Sequence, residues 1–204
     1  MKLYLLPGVC SLGDHIALRW AKADFEAVVM TREGIKSAEY LAINPAGSVP
    51  VLVEDDGWVL TENVAILEYI GGKHPDARLH GDDLRERAEI LRWLGHLNSD
   101  VHKAFSPIFS PGVFFPYGTD MERAREMAVQ RIHQHLGQLD KRLEGRTRPV
   151  GERRTLVDGY LYVILRWTRK VAGGIDQHAN LSAFFQLMSD DPDVQAALEL
   201  EGLQ

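Results

Sequence analysis

All segments of this 204-residue chain that have strand-like sequence lie before residue 61, and this division limits the possible folds more than any other feature. Short apolar and β-branched runs predict strands at 2–6, 25–30, 51–54 and 58–60, the last two forming a hairpin around an acidic turn. Apolar residues at helical spacing predict one helix at 10–20 and another at 63–70, which Gly71 and Gly72 end. The predicted order is therefore strand, helix, strand, a polar connection, two strands and a helix.

This order is typical of a thioredoxin-like domain, whereas the sequence beyond residue 83 predicts helices alone. The polar stretch 74–83 has no periodicity and indicates a boundary. Amphipathic helices are then expected at 84–105 and 121–143, separated by a segment that three prolines interrupt. A helix at 156–167 is apolar nearly all round and belongs in the middle of a bundle. We therefore predict an α/β thioredoxin-like domain at 1–74 and an all-α helical bundle at 84–204.

The charge balance argues against one broad class of function. The chain has 23 basic and 29 acidic residues, a net charge of −6, and no basic run, so nucleic-acid binding is not expected. No stretch approaches the roughly 18 consecutive apolar residues of a membrane span. The one cysteine excludes an internal disulfide and fits a reducing compartment, so we expect a cytoplasmic protein.

That cysteine, Cys10, lies where the first strand should give way to the first helix. Pro7 and Gly8 indicate a turn, and Ser11 is expected to accept a hydrogen bond from an amide of the first helical turn. The free N–H groups there favour negative charge, which would lower the pKa of the Cys10 thiol and make it a nucleophile. A buried, inert structural thiol is the alternative.

Two other places in the first domain have the chemistry of a peptide-binding site. A cis bond between Val49 and Pro50 would leave the backbone of Val49 free to pair with an extended peptide, whereas a trans proline opening an edge strand is the commoner arrangement. Glu62 and Asn63 begin a helix, where free amides would bind the carboxylate, and Glu62 the ammonium, of an amino-acid group. The same pair is also a common capping sequence.

In the helical part, the less apolar face of the helix at 84–105 carries Gly95, Ser99 and His102 and is predicted to line a cleft. Five aromatic residues are candidates for the wall of an apolar pocket, although each alone is more typical of a core. They are Phe105, Phe109, Phe114, Phe115 and Trp167.

No metal site is expected from the eight histidines. His133 and His135 are two residues apart on a helix, do not share a face and are expected to be exposed. His15 falls on an apolar repeat and is expected to be a core or capping residue.

Six segments resemble the bacterial beta-class glutathione S-transferases. They are MKLYLLPGVCSLGDHIAL, YLAINPAGSVPVL, LTENVAILEYI, RWL…HKAFSPIF, TLVDGYLYVILRW and AALELEGL, and the resemblance extends over essentially all 204 residues. It implies a cytosolic homodimer that binds glutathione on its thioredoxin-like domain. The helical domain would complete an apolar pocket for a second, small hydrophobic substrate.

The resemblance also assigns roles to individual positions. Catalytic roles are implied for Cys10, Ser11 and His102, and glutathione contacts for Val49, Pro50, Glu62, Asn63, Ser99, Lys103 and either Lys36 or Arg32. The apolar pocket would draw on Phe105, Phe109, Phe114 and Trp167.

Two departures from the family pattern affect the predicted chemistry. The family usually has a tyrosine near the glutathione sulfur where this chain has Leu5, and Tyr4 cannot replace it because neighbouring strand residues point to opposite faces. The family's asparagine four residues before Ser99 is here Gly95, and Asn98 would be at best an imperfect substitute.

We therefore predict a cysteine-type glutathione transferase that conjugates glutathione to electrophiles, reduces thiol–disulfide substrates through Cys10, or does both. The missing tyrosine favours reduction, because a cysteine can form a mixed disulfide with glutathione. The alternative is a non-catalytic transferase-like protein that carries a ligand or regulates a partner.

Overall fold

A four-stranded mixed sheet forms the centre of the N-terminal half in the computed structural model, which describes residues 1–203. Its strands are β1 (Lys2–Leu5), β2 (Glu26–Val29), β3 (Val51–Val53) and β4 (Val59–Thr61), in the order β2-β1-β3-β4. β1 pairs in parallel with β2 and antiparallel with β3, and β3 and β4 form the predicted hairpin. The predicted strands and their order are confirmed.

Three α-helices accompany this sheet: α1 (Ser11–Trp20), α2 (Ala38–Ile43) and α3 (Asn63–Lys73). The prediction that Gly71 and Gly72 end α3 is wrong, since the helix continues to Lys73. Gly71 is instead a point of close packing, where a Cβ atom would lie 2.6 Å from the Cβ of His80. Glycine is needed there for space, and it does not break the helix.

The C-terminal half contains the helices α4 (Leu84–His96), α5 (His102–Phe109), α6 (Pro111–Phe114), α7 (Met121–Arg142), α8 (Leu156–Val171), α9 (Ala179–Ser189) and α10 (Pro192–Leu200). A π-helical turn, Leu97–Val101, joins α4 to α5 without a break. The helix predicted to end at residue 105 therefore extends to Phe109, with Pro107 inside its last turns.

Helix α8 lies in the middle of the bundle, as its apolar sequence predicts. Thr155 and Asp158 form a capping box at its start, and Arg148 Nη1 donates to the buried Asp158 carboxylate at 2.7 Å. Among residues 1–203, no helix is both long and apolar enough to cross a membrane.

A glycine pair allows α1 and α8 to pack closely. A Cβ atom on Gly159 would lie 3.2 Å from the carbonyl oxygen of Gly13, and one on Gly13 would lie 3.4 Å from Tyr160 Cα. Because neither residue has a side chain, the two backbones meet directly. This contact places the start of α1, which carries Cys10, against the helical half of the molecule.

Candidate functional site

A cavity of about 220 Å³ lies where the two halves of the chain meet. It brings together six of the residues that the sequence predicted as a site: Cys10, Val49, Pro50, Glu62, Asn63 and His102. Its remaining lining residues are Asn44, Ala46, Ser48, Thr61 and Asn98. One wall comes from the sheet half and the other from the helical half.

The backbone of Val49 forms one edge of the cavity. The Val49–Pro50 peptide bond is cis, and the Val49 carbonyl oxygen accepts a weak hydrogen bond from Cys10 Sγ at 3.8 Å. Tyr40 Oη and Asn44 Nδ2 both donate to the Ser48 carbonyl, at 2.6 and 2.8 Å, and hold the preceding loop in place. Sequence reasoning missed Asn44 and Ser48, which line this edge.

Glu62 has an unusual backbone conformation where α3 begins. Its φ of 72° and ψ of 116° are rare for a residue with a side chain, and such strain persists where surrounding structure enforces it, often at functional sites. The Glu62 side chain is exposed at the cavity, next to the free amides of the first turn of α3. This arrangement provides a carboxylate and an anion-binding helix terminus side by side.

The side chain of Asn63 faces the protein interior. It is 6% exposed, and its amide group donates to Asp14 Oδ2 at 2.8 Å and to the Cys10 carbonyl at 3.2 Å. Asn63 therefore ties α3 to the start of α1. Its backbone N–H is the group that remains for a ligand.

The expectation of a low thiol pKa at Cys10 is wrong for this structure. Burial raises the pKa of Cys10 to about 12, and the carboxylate of Asp14 adds to the rise, while the amide of Ser11 offsets only part of it. Cys10 is half-buried at the N-cap of α1, and its S–H donates a hydrogen bond to Val49 O. Position at a helix start alone did not determine the pKa, because desolvation outweighs the helix terminus here.

Ser11 does not reach the cavity and does not cap the helix as predicted. Its fully buried hydroxyl accepts from the Leu6 N–H and donates to the Leu6 carbonyl, both at 3.3 Å. Ser11 therefore fixes the turn between β1 and α1.

The His102 ring is held at the cavity by two aromatic side chains of α8. Its Nδ1 lies 2.7 Å from Tyr160 Oη, whose hydroxyl lies 3.2 Å from Asn98 Oδ1. Its ring packs edge-on against Trp167, with centroids 4.7 Å apart. Burial lowers the pKa of His102, so the ring is neutral near pH 7. Sequence reasoning missed Tyr160, although a tyrosine inside an all-apolar helix signals a hydroxyl that must find a partner.

Three of the predicted aromatic residues form a cluster beside His102. The ring centroids of Phe105, Phe109 and Trp167 lie 5.3 to 5.7 Å from one another. Phe105 and Trp167 are buried, while Phe109 is 46% exposed and provides an open apolar wall. Phe114 is 51% exposed and Phe115 lines a separate groove, so neither joins this cluster.

Other predicted contacts lie outside the cavity of this chain. Ser99 is exposed, and its hydroxyl is engaged with the Gly95 carbonyl and the Asp100 carboxylate. Lys103 and Lys36 are also exposed and do not line the cavity. Leu5 is fully buried, so it offers nothing to a ligand.

In residues 1–203, no group of three or more potential ligands is placed to hold a metal ion. The expectation that His133 and His135 are exposed is wrong. His135 is buried and His133 is half-buried, with its ring stacked on that of His178. The interpretation of His15 as a core residue is confirmed, since it is fully buried and its Nδ1 lies 2.9 Å from Glu201.

Comparison with known proteins gives consistent matches over both halves. Residues 9–73 match the family model of the glutathione S-transferase N-terminal domain, and residues 105–192 match that of the C-terminal domain. The chain is 44% identical to the glutathione S-transferase GST-4.5 of Xanthomonas campestris, over all of both chains.

Two solved structures are similar over the full length. The beta-class glutathione S-transferase of Sphingomonas chungbukensis is 39% identical, with a TM-score of 0.89 and complete coverage of both chains. A sphingomonad glutathione S-transferase complexed with glutathione is also 39% identical, with a TM-score of 0.88 and the same coverage.

Proposed function

Because this chain belongs to the glutathione S-transferase family, and to its bacterial beta class, we propose that it binds glutathione in the cavity between Cys10 and His102 and conjugates it to small hydrophobic electrophiles. The observation that carries this proposal is the convergence of Val49, Glu62, Cys10 and His102 on one cavity. These residues come from four separate parts of the chain. Together they match the backbone, the amino-acid end and the thiol of glutathione.

Glutathione is held at two points in this proposal. Its cysteinyl backbone pairs with Val49, in the manner of an added strand. Its γ-glutamyl carboxylate binds the free amides at the start of α3, and its ammonium pairs with Glu62. We propose residues 1–74 as the domain that binds glutathione.

Residues 84–204 then provide the pocket for the second substrate. The exposed edge of Phe109, with Phe105 and Trp167 behind it, offers an apolar surface next to His102. A small apolar or aromatic electrophile fits this surface, because it buries apolar area against the rings.

In the proposed chemistry, His102 accepts the proton of the glutathione thiol and stabilises the thiolate that attacks the electrophile. Cys10, with a pKa of about 12, stays a thiol. When glutathione pairs with the Val49 backbone, the Cys10 S–H turns from the Val49 carbonyl to that thiolate. At neutral pH Cys10 is therefore almost entirely in the thiol form. Conjugation therefore depends on the glutathione sulfur rather than on Cys10 as nucleophile.

Reduction of glutathione mixed disulfides through Cys10 is the second candidate. It is favoured by the position of this free cysteine in the cavity, where a mixed disulfide with glutathione can form. The raised pKa opposes it, since the attacking species is the thiolate. We therefore rank reduction below conjugation, in contrast to the expectation from sequence.

Glutathione binding and aryl-halide conjugation test the proposed function. We expect retention on immobilised glutathione, release by free glutathione, and conjugation of an aryl halide. Glu62→Gln should raise KM for glutathione about 10-fold, whereas Glu39→Gln, an exposed carboxylate on α2, should not change it. Failure to bind glutathione would favour the non-catalytic alternative. The presence of Leu5 in place of a tyrosine supports that alternative.

We also propose that the protein acts as a cytoplasmic homodimer. Large apolar side chains are exposed on α4 and the β4 hairpin: Leu84 is 83% exposed and Trp58 is 46% exposed. A second copy of the chain would cover them. Light scattering at micromolar concentration should give twice the mass of one chain, and a mass of one chain would contradict this.

A further inference from the structure

Tyr160 is a buried polar residue to which the proposed chemistry assigns no role. It is fully buried in α8, and the Gly13–Gly159 contact sets it close to the start of α1. Its hydroxyl lies between two residues that line the cavity, 2.7 Å from His102 Nδ1 and 3.2 Å from Asn98 Oδ1. Tyr160, Asn98 and His102 therefore form one chain of hydrogen bonds that ends at the cavity.

The protons in this series of hydrogen bonds can be assigned from the groups that form it. A tyrosine hydroxyl has one proton, and the oxygen of an asparagine side chain only accepts. When Tyr160 donates to Asn98 Oδ1, its oxygen must accept from His102, which places the imidazole proton on Nδ1. His102 Nε2 then carries a lone pair and has no hydrogen-bond partner within the described residues.

We propose that Tyr160 is a positioning residue that keeps the His102 proton on Nδ1, so that Nε2 faces the glutathione sulfur as a proton acceptor. This inference rests on the proposed function for the identity of the ligand. In the step it describes, the thiol proton of glutathione passes to Nε2, leaving a thiolate and an imidazolium. The Nδ1–H of that imidazolium stays hydrogen-bonded to Tyr160, which stabilises the charged ring.

This arrangement follows the logic of a nucleophile, a base and a third group that orients the base. It also provides a hydroxyl in place of the one this chain lacks at position 5, where it has Leu5 instead of a tyrosine. A hydroxyl from α8 contributes to the activation of the sulfur through His102 instead of touching the sulfur directly. Tyr160 occupies the orienting position, and Asn98 fixes the direction in which its hydroxyl donates.

The groups around His102 are consistent with a neutral base. Cys10 and Glu62 share its cavity, Asp14 lies in α1 close to Cys10, and Tyr160 approaches from α8. No acidic side chain within residues 1–203 forms an ion pair with His102. Among the described residues, the Tyr160 hydroxyl is the one hydrogen-bond partner of Nδ1, so it selects which nitrogen holds the proton.

The matched control for a test is Tyr162, two residues further along α8. It is 1% exposed, and its hydroxyl lies 3.2 Å from Ser189 Oγ, away from the cavity. Tyr160→Phe and Tyr162→Phe therefore each remove one buried hydroxyl from the same helix. Only the first removes the partner of His102.

The experiment is ¹⁵N NMR of the histidine side chains in the full-length, ligand-free protein, with aryl-halide kinetics on the same samples. In the wild type and in Tyr162→Phe, His102 should be protonated on Nδ1. In Tyr160→Phe the proton should move to Nε2, and kcat/KM should fall about 10-fold with KM for glutathione nearly unchanged. The wild-type spectrum tests the proposal even if Tyr160→Phe does not fold.

A wild-type His102 protonated on Nε2, or a Tyr160→Phe variant with the proton still on Nδ1 and full activity, would overturn the role of Tyr160. Failure of glutathione to bind would instead refute the proposed function, since the ligand-free spectrum does not depend on it.

Discussion

At the scale of single residues, Cys10 shows why a reactive cysteine cannot be identified from its place at a helix start. Burial and the Asp14 carboxylate raise its pKa to about 12. Its alkylation rate by iodoacetamide should therefore rise about 10-fold per pH unit between pH 7 and pH 10, without a plateau. Mass spectrometry of the intact protein measures this rate, and a plateau near neutral pH would show that the thiol is activated after all.

Asp14, buried beneath Cys10, has a consequence for stability. Burial raises the pKa of Asp14 well above its usual range, so the folded protein keeps a proton that the unfolded chain loses above about pH 4. The stability that depends on this proton is complete at low pH and is lost as pH rises toward the folded pKa. Asp14→Asn should flatten the decline in unfolding free energy as the pH rises above about 4.

The control for this change is Asp24→Asn, which alters an exposed carboxylate in the loop after α1. Urea unfolding across that pH range, followed by circular dichroism, compares the two variants with the wild type. Equal pH dependence in all three proteins would show that Asp14 titrates normally.

At the scale of elements, the π-helical turn between α4 and α5 explains why Asn98 lines the cavity. In a regular helix, Asn98 lies about 300° from the position of Gly95, which made it a poor substitute for the missing asparagine. A π turn contains more residues than an α turn and so rotates the residues around it. Asn98 thereby reaches the cavity and contacts Tyr160. The sequence has no signal for this turn.

The glycine contact between α1 and α8 gives a prediction on the same scale. Gly159→Ala places a methyl group 3.2 Å from the Gly13 carbonyl, which should force the helices apart and cost about 1–3 kcal/mol of stability. It should also lower activity, since Tyr160 would move relative to His102. Gly137→Ala on α7, where a Cβ meets nothing within 4 Å, should be neutral or stabilising by about 0.5–1 kcal/mol.

Thermal unfolding and aryl-halide kinetics on both variants test this contact. If Gly159→Ala matches Gly137→Ala in both measurements, the close approach of the two backbones does not position the site.

At the scale of the whole molecule, the cavity depends on both halves of the chain, because Glu62 comes from one and His102 from the other. Buried apolar residues of both halves form one continuous core. Heating should therefore give a single transition by circular dichroism and tryptophan fluorescence. Glutathione at 100 times its Kd should raise the free energy of unfolding by about 2.7 kcal/mol and so raise the midpoint temperature of that transition. Two separate transitions would show that the halves unfold independently.

The scale of a feature also decides how far the sequence predicts it. Strands and long helices follow from local periodicity, so β1 to β4 and α8 lie within one to four residues of their predicted bounds. The convergence of Cys10, Val49 and His102 on one cavity was also expected, because the resemblance to the beta-class transferases assigns all three to one site. The pKa of Cys10 and the roles of Asn98 and Tyr160 depend on burial and contacts between distant segments, which no local pattern encodes.

The activation of glutathione by His102 can be measured through the ultraviolet absorbance of the thiolate of bound glutathione as a function of pH. In the wild type and in Cys10→Ser, we expect a thiolate that forms at a lower pH than in free glutathione. In His102→Phe, it should form only at the pH of the free peptide. A thiolate that disappears in Cys10→Ser but persists in His102→Phe would contradict the assignment of His102 as the base.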